Sequence, residues 1–382
     1  MNKSSPIRIL QVIHRMRPGG IQSVVMNSYR NIDRDKIQFD FAVRSQEVDL
    51  YDEEIKSLGG RIFHLPWQSA NPASFFNYPQ ALGKVLKEYG PFAGVHSHVN
   101  VYSGLVLPIA KRQGIPVRIA HSHNSEITGY HQLLLVLWKL IMRPLILGNA
   151  TDLVACNKLA AEFLYGSKAM DDARLKIIHN AIEIPKFKDP VDDRIALRKA
   201  LNFPLKGLLF GHIGRFDYQK NHQFLVKIFT AYLKQDPQAN LLLIGEGELM
   251  PETKNLVKSL GINDRIHFLG IRKDVPEILK TLDLFLLPSR YEGLPVVLVE
   301  AQAAGVPSLV SRSISPEVDL NLGLIHYQYL NSDLEQWVEG ITKCLSIPAV
   351  PWKQREGALK SEGYDVISAI DELMLLYNAA HE

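Results

Sequence analysis

The chain has 382 residues, 46% of them hydrophobic and 22% charged, with a net charge of +3. That length is comfortable for two domains, each able to bury its own core, and the composition excludes a disordered or fibrous chain. So small a net charge argues against a nucleic-acid partner. Its distribution is uneven, however: residues 1–180 carry 21 Lys and Arg against 14 Asp and Glu, a net of +7, and residues 181–382 a net of −4. A basic first half favours an acidic partner, such as a phosphorylated acceptor or an anionic membrane surface. The two cysteines, Cys156 and Cys344, belong to no metal-binding spacing, which points to a reduced, cytosolic protein without a structural metal. No signal peptide is read at the start, where the apolar run ILQVI is short and flanked by Arg8 and Arg15.

Strand-like and helix-like segments alternate along the whole chain, the pattern of parallel sheets covered by helices. Strands are predicted at 7–13, 39–43, 61–65, 94–98, 117–122, 151–156 and 176–179, with helices between them, for example over 22–31 and 78–89. The apolar stretch 133–148, interrupted by Lys139, Arg143 and Pro144, falls short of the roughly 20 residues that span a bilayer and reads as a buried or interfacial helix. The stretch IEIPKFKDPVDD, residues 182–193, reads as a linker. A second series of strands follows at 208–214, 240–245, 266–269, 284–288 and 307–311. Each half is thus a doubly wound α/β unit, with boundaries at 1–182 and 183–364 and a last helix over about 365–382.

In open α/β sheets, ligands sit beyond the C-terminal ends of the strands. After the first strand, HRMRPGGIQ sets Gly19 and Gly20 before a helix, so that backbone can approach a ligand closely, and Arg15 and Arg17 are candidates to meet an acceptor phosphate. No GxGxxG fingerprint or Walker lysine is present there. The triplet Asp33–Asp35 precedes a strand among Arg34 and Lys36 and reads as a charged turn, not a metal-held nucleotide. HSHN at 121–124 ends a strand and forms a candidate polar cluster, whereas HSH at 96–98 reads as structural.

In the second half, GRFDYQKN at 214–221 offers Arg215 and Lys220, an arginine that can chelate two diphosphate oxygens and a lysine that adds a point charge. The segment SRYEGLPVVLVEAQAAG, residues 289–305, places Glu292 and Glu300 eight apart around a helix start, with Pro295 suited to the first turn and Gly305 to the C-terminal cap. A strand, a Gly-containing loop and a helix N-terminus make an anion site. The glutamates are placed to accept hydrogen bonds from hydroxyls flanking that anion, and the helix from Pro295 to Glu300 rises roughly 7.5 Å, about the span from a phosphate to a ribose. The pattern is that of a nucleotide-sugar site.

These loops, in this order, resemble the retaining glycosyltransferases of family 4. The resemblance covers essentially the whole chain and rests on E-x7-E (Glu292 to Glu300), on GRFDYQK, and on GGIQ, IIHNAIE, LLIGEGEL and FLGIRKDV. It implies the GT-B fold: two Rossmann-like, doubly wound parallel-sheet domains facing a central cleft, the final helix packing back on the first. By the same resemblance Arg215 and Lys220 hold the donor diphosphate and Glu300 the ribose. Glu292 contacts the transferred sugar near the amides of Gly293 and Leu294, Arg272 faces the base and Gly20 lies near the phosphates. A first-domain histidine contacts the donor sugar, His121 or His123, the HSHN spelling leaving the register open. Ala181 and Glu183 depart from the family's usual glycine and aspartate at the junction.

The implied reaction moves a glycosyl group, with retention and without metal, from a nucleotide diphosphate sugar, a UDP-sugar by preference. The acceptor is a hydroxyl of a polysaccharide repeat unit, lipid-linked in the leading reading. Location would be cytoplasmic, with peripheral contact at the inner face of the membrane. A small soluble acceptor, or a non-catalytic scaffold role, are the alternatives.

Overall fold

The computed structural model describes residues 5–17, 19–66, 72–123, 132–188 and 194–378. Two compact units are present: Met1–Ala181 together with Val366–Glu382, and Ile182–Asp365. In the first unit seven strands, β1 (Ile7–Ile13), β2 (Ile37–Val43), β3 (Ile62–His64), β4 (Gly94–Ser97), β5 (Val117–Ser122), β6 (Asp152–Ala155) and β7 (Leu175–Ile177), form one sheet in the order β3-β2-β1-β4-β5-β6-β7. Every neighbouring pair is parallel.

Helices cover both faces of this sheet, so alternate residues of one strand enter different cores. In β1, Ile9 and Ile13 join Phe39, Phe41 and Tyr29 on one side, while Leu10 and Val12 join Tyr78, Leu82 and Val95 on the other. A charged residue of β2 sits inside this apolar frame. Asp40 of β2 is fully buried, bridged by Arg8 at 2.5 Å and Arg61 at 2.6 Å. Burial pushes its carboxyl upward, but the hydrogen bonds from both guanidinium groups outweigh that and hold it below the usual range.

The helix Val366–Asn378 completes the first unit, burying Val366, Ala369, Ile370, Leu373, Leu376 and Tyr377 at helical spacing against the core that holds Tyr29 and Phe39. The Tyr377 ring meets Phe39 edge-on at 5.8 Å. The helix Gln132–Asn149 runs through Pro144, buries Met142 and Ile146, and leaves Val136, Leu140, Ile141 and Leu145 exposed.

The second unit has β8 (Leu209–Ile213), β9 (Asn240–Ile244), β10 (Ile266–Gly270), β11 (Leu284–Leu287), β12 (Ser308–Ser311) and β13 (Ile325–Gln328), in the order β10-β9-β8-β11-β12-β13 and parallel throughout. The predicted strands of this half coincide with the first five of these. The sixth, β13, was missed: its IHYQ is short, half-buried and broken by His326 and Gln328, as suits an edge strand with one neighbour. The described part of the expected linker is packed: Ile184 and Phe187 are buried in a 3₁₀ turn, and Lys280 Nζ donates to the Lys186 carbonyl at 3.0 Å. Its remainder, 189–193, lies outside the described residues. Cys156 follows β6 directly and Cys344 lies in the helix Leu334–Leu345, both buried and neither in a disulfide.

A chain ending at Asp365 tests the division of the fold. Burying an apolar side chain contributes about 2 kcal/mol, so losing Val366, Ile370, Leu373, Leu376 and Tyr377 removes a sum comparable to the ~5–15 kcal/mol that holds a domain folded. Limited proteolysis of this truncated chain should digest residues 1–181 while the 182–365 unit resists.

Candidate active site

Strand order in the second unit reverses between β8 and β11, which are neighbours although two strands intervene in sequence. Their C-terminal ends therefore open side by side, and the loops leaving them diverge to opposite faces of the sheet. The loop after β8 is laced to the one after β11. The Arg290 amide donates to the Gln219 carbonyl at 2.8 Å, Gln219 Nε2 donates to the Tyr291 carbonyl at 3.1 Å, and Asn221 Nδ2 donates to the Pro288 carbonyl at 3.2 Å. Asn221 adopts the left-handed conformation (φ 58°) that Asn tolerates better than most residues, turning the chain into the helix His222–Tyr232. Gly214 leaves room for the lysine stem: a Cβ there would stand 3.1 Å from Cδ and Cε of Lys220.

The lacing brings Lys220 and Glu292 together. Lys220 Nζ donates to Glu292 Oε1 at 2.5 Å, and Gln219 Nε2 donates to the other carboxylate oxygen at 3.0 Å. Their side chains are 16% and 7% exposed, so the pair interacts through little water. Arg215 lies in the same loop but is 62% exposed and bonded to Asp217 at 2.8 Å; Asp217 also accepts from the Lys220 amide at 3.1 Å. Past Gly293, Leu294 and Pro295, the helix Val296–Ala303 begins, its first N–H groups lacking partners within the helix. Glu300 lies on that helix, and crowding by protein pushes its carboxyl up to about 8, although the side chain is not sealed from solvent. Arg272 follows β10 and is clasped by Asp274 at 2.5 Å and 2.7 Å. No contact joins it to the Lys220–Glu292 pair among the described residues.

In the first unit the order reverses between β1 and β4. Gly20 opens the helix Gly20–Asn31 after β1. Arg15 is held by Asp49 at 3.0 Å and by Glu47, and Asp33 pairs with Lys36 at 3.0 Å in an exposed turn. The ends of β4 and β5 carry four buried histidines, His96, His98, His121 and His123. His96 Nε2 lies 3.1 Å from His121 Nδ1, His98 Nδ1 lies 2.8 Å from His123 Nε2, and the His121 and His123 rings stack at 3.9 Å. The HSH segment read as structural is thus joined to the candidate HSHN segment in one network; Asn124 lies outside the described residues. Burial, reinforced by neighbouring rings, lowers His96 to about 3 and His98 and His121 far below the ordinary value. Burial likewise brings His123 to about 4. All four are neutral at pH 7. Nitrogens of His96, His98 and His121 lie within 4.8 Å of one another, but five of those six ring nitrogens already have hydrogen-bond partners, so a metal ion would have to displace them.

The family model described as Glycosyltransferase Family 4 matches residues 18–185, and that described as Glycosyl transferases group 1 matches residues 193–360. EpsF of Bacillus subtilis (strain 168), a protein assigned as a glycosyltransferase, is 36% identical over 99% of this chain and 98% of its own. The chain belongs to this glycosyltransferase family. An Escherichia coli relative, UDP-Gal:alpha-D-GlcNAc-diphosphoundecaprenol alpha-1,3-galactosyltransferase, is 26% identical over 80% of each chain. The fold also matches the crystal structure of Anabaena HepE in complex with UDP-glucose, with a TM-score of 0.77 at 17% identity, covering 98% of this chain and 100% of that one. The two parallel-sheet units are those of the GT-B fold, as the sequence resemblance implied.

Within this glycosyltransferase, sequence reasoning named Lys220 and Glu292 for separate tasks and the structure makes them a pair. It missed Gln219, which holds the second oxygen of Glu292; nothing but its place beside Lys220 could have marked it. His96, His98, Gln11 and Tyr377 were also missed as members of the histidine network, since they come from three strand or helix ends far apart in sequence.

Glu300 makes the pH dependence of folding testable. Its carboxyl ionises near the usual 4.5 when unfolded but near 8 when folded, so the unfolded chain releases its proton first. Stability contributed by the protonated form is full below about 4.5 and is lost as pH rises through 8. Glu300→Gln should therefore gain urea resistance relative to the parent between pH 5 and pH 8.5, and a constant difference in midpoint across that range would contradict the assignment.

Proposed function

We propose that this chain transfers a glycosyl group from a UDP-sugar to a hydroxyl of a growing, lipid-linked polysaccharide repeat unit, with retention at the anomeric carbon and without metal. The observation that carries this reading is the Lys220–Glu292 pair at the strand-order reversal, beside the start of the helix Val296–Ala303. A poorly hydrated ammonium near the N-terminal end of a helix suits a diphosphate. Negative charge grows on that diphosphate as the sugar departs, and a cation already in place stabilises the change without reorganising. Arg215 adds a second, more exposed charge from the solvent side.

Glu292 is acceptor-only when ionised and would take hydrogen bonds from sugar hydroxyls, its orientation set by Gln219. Glu300 would accept from the ribose, Gly293 and Leu294 would offer main-chain donors, and Arg272 would face the base. In the first unit, Gly20 and one of His121 and His123 are assigned to the donor. The departing phosphate takes the acceptor's proton, so the scheme needs no enzyme nucleophile. UDP as the nucleotide is supported by the donor named for the Escherichia coli relative. That all of Arg215, Lys220, Glu292 and Glu300 are present weighs against a non-catalytic scaffold.

For the acceptor, the exposed Val136, Leu140, Ile141 and Leu145 on one helix support contact with lipid at the inner face of the membrane. No helix among the described residues is long and apolar enough to cross one.

Titration calorimetry with UDP, GDP and ADP in EDTA is the direct test. UDP should bind selectively, and the binding should release up to one proton at pH 7, because hydroxyl donors favour the ionised form of Glu300. No binding of any nucleotide would bring the scaffold reading forward. In Lys220→Ala, turnover should fall at least tenfold, and parental turnover would remove the lysine from the mechanism. Replacing Leu140 and Ile141 together by Asp should weaken co-sedimentation with phosphatidylglycerol vesicles at least tenfold, at about 1.5 kcal/mol or more per side chain. Unchanged sedimentation would favour the soluble acceptor.

A further inference from the structure

His121 Nε2 is buried and has no hydrogen-bond partner among the described residues, while its other nitrogen ends a chain that starts on the last helix. Tyr377, at 0% exposure, sets its hydroxyl 2.7 Å from His96 Nδ1, and His96 Nε2 faces His121 Nδ1 at 3.1 Å. Among the described residues the other hydrogen-bond partner of that hydroxyl is Gln11 Nε2, which donates to it at 3.4 Å. A buried O–H without an acceptor costs roughly 1–3 kcal/mol; with the Gln11 amide nitrogen toward it, the tyrosine proton goes to His96 Nδ1, the acceptor among its contacts. A neutral imidazole carries a single proton. His96 must therefore hold its own on Nε2 and donate it to His121 Nδ1, which leaves the proton of His121 on Nε2.

The second branch takes the same sense when Gln11 keeps its oxygen on His98. Gln11 Oε1 lies 2.8 Å from His98 Nε2 and so receives that ring's proton; His98 Nδ1 then accepts from His123 Nε2. The remaining nitrogen, His123 Nδ1, faces Asn180 Oδ1 at 2.9 Å. Two neutral rings bring two protons to three contacts. The count closes when one end carboxamide turns its NH2 inward; with Gln11 Oε1 kept on His98 that end is Asn180, amide oxygen and nitrogen being alike in shape. Gln11 is the joint between the branches, its oxygen on His98 and its nitrogen on Tyr377.

We infer that Tyr377, acting through His96, is a positioning residue that fixes His121 as its Nε2–H tautomer, so that this unit presents a single preset N–H donor to an oxygen of the bound donor substrate. This rests on the proposed function for the identity of the substrate, and it chooses His121 over His123 as the histidine that contacts it. Both nitrogens of His123 are engaged within the protein, whereas His121 keeps one in reserve. A donor held ready away from water needs no reorientation when a phosphate or hydroxyl oxygen arrives.

Long-range ¹H–¹⁵N spectra of the histidine-labelled full chain read the tautomer directly, the His121 signals being assigned by their loss in His121→Gln. The parent should show His121 protonated on Nε2. In Tyr377→Phe, which keeps the ring that packs on Phe39 but loses the hydroxyl, the His121 proton should shift toward Nδ1. Turnover with a UDP-sugar should fall roughly tenfold or more with little change in UDP affinity. His121 protonated on Nδ1 in the parent, or an unaltered tautomer in Tyr377→Phe, would overturn the inference. An Nε2–H tautomer in a parent that neither binds UDP nor turns over any donor would instead count against the proposed function and leave the relay standing.

Discussion

The reversal of strand order between β8 and β11 is the constraint on which the second unit's chemistry depends. Parallel strands must be joined by crossovers, and a sheet that winds both ways from its centre sends two neighbouring loops to opposite faces. At that one place the strand ends are left open, and a side chain from each loop can meet its counterpart without either loop blocking the other. Lys220 and Glu292 do so across a separation of 72 residues in sequence. Hydrogen bonds through Gln219 and Asn221 make the two loops one surface. Glycine at 214 then matters for what it lacks, because any side chain would press on the lysine stem.

The histidine network in the first unit obeys a different rule. Rings removed from water are kept neutral, and neutral rings have direction: each gives one proton and takes one. A network of such groups is ordered by its ends, and the ends here are a tyrosine hydroxyl, a glutamine and an asparagine. The helix Val366–Asn378, separated from the rest of its unit by the whole of the second, thus contributes both packing and polarity. Leu373 and Leu376 join the apolar core, while Tyr377 reaches past Phe39 to the imidazoles.

Charged groups follow the same accounting in both units. Asp40 is tolerated inside a buried strand because two guanidinium groups bracket it. Among the described residues Glu300 has no such partner, and its proton is retained well above the usual range. The contrast separates a carboxylate that holds the fold together from one left uncompensated, which a ligand carrying hydroxyl donors could relieve.

Local pattern determined much of this protein. Apolar runs buried on both faces, with Gly or Pro punctuation and helical spacing between them, mark β1, β5, β8 and β11 almost to the residue, because a parallel strand must be apolar on both sides whatever its neighbours. The spacing of Glu292, Pro295, Glu300 and Gly305 likewise marks a loop and helix start by backbone chemistry alone. The edge strand β13 escaped, since one neighbour and one half-buried face impose too little pattern on IHYQ. Tertiary structure alone decided which loops become adjacent, and so that Lys220 would answer to Glu292, that Gln219 would hold that carboxylate, and that His96 and His98 would join His121 and His123 in one buried cluster. Such pairings depend on strand order across the sheet and on burial from several directions, neither of which a single segment of sequence carries.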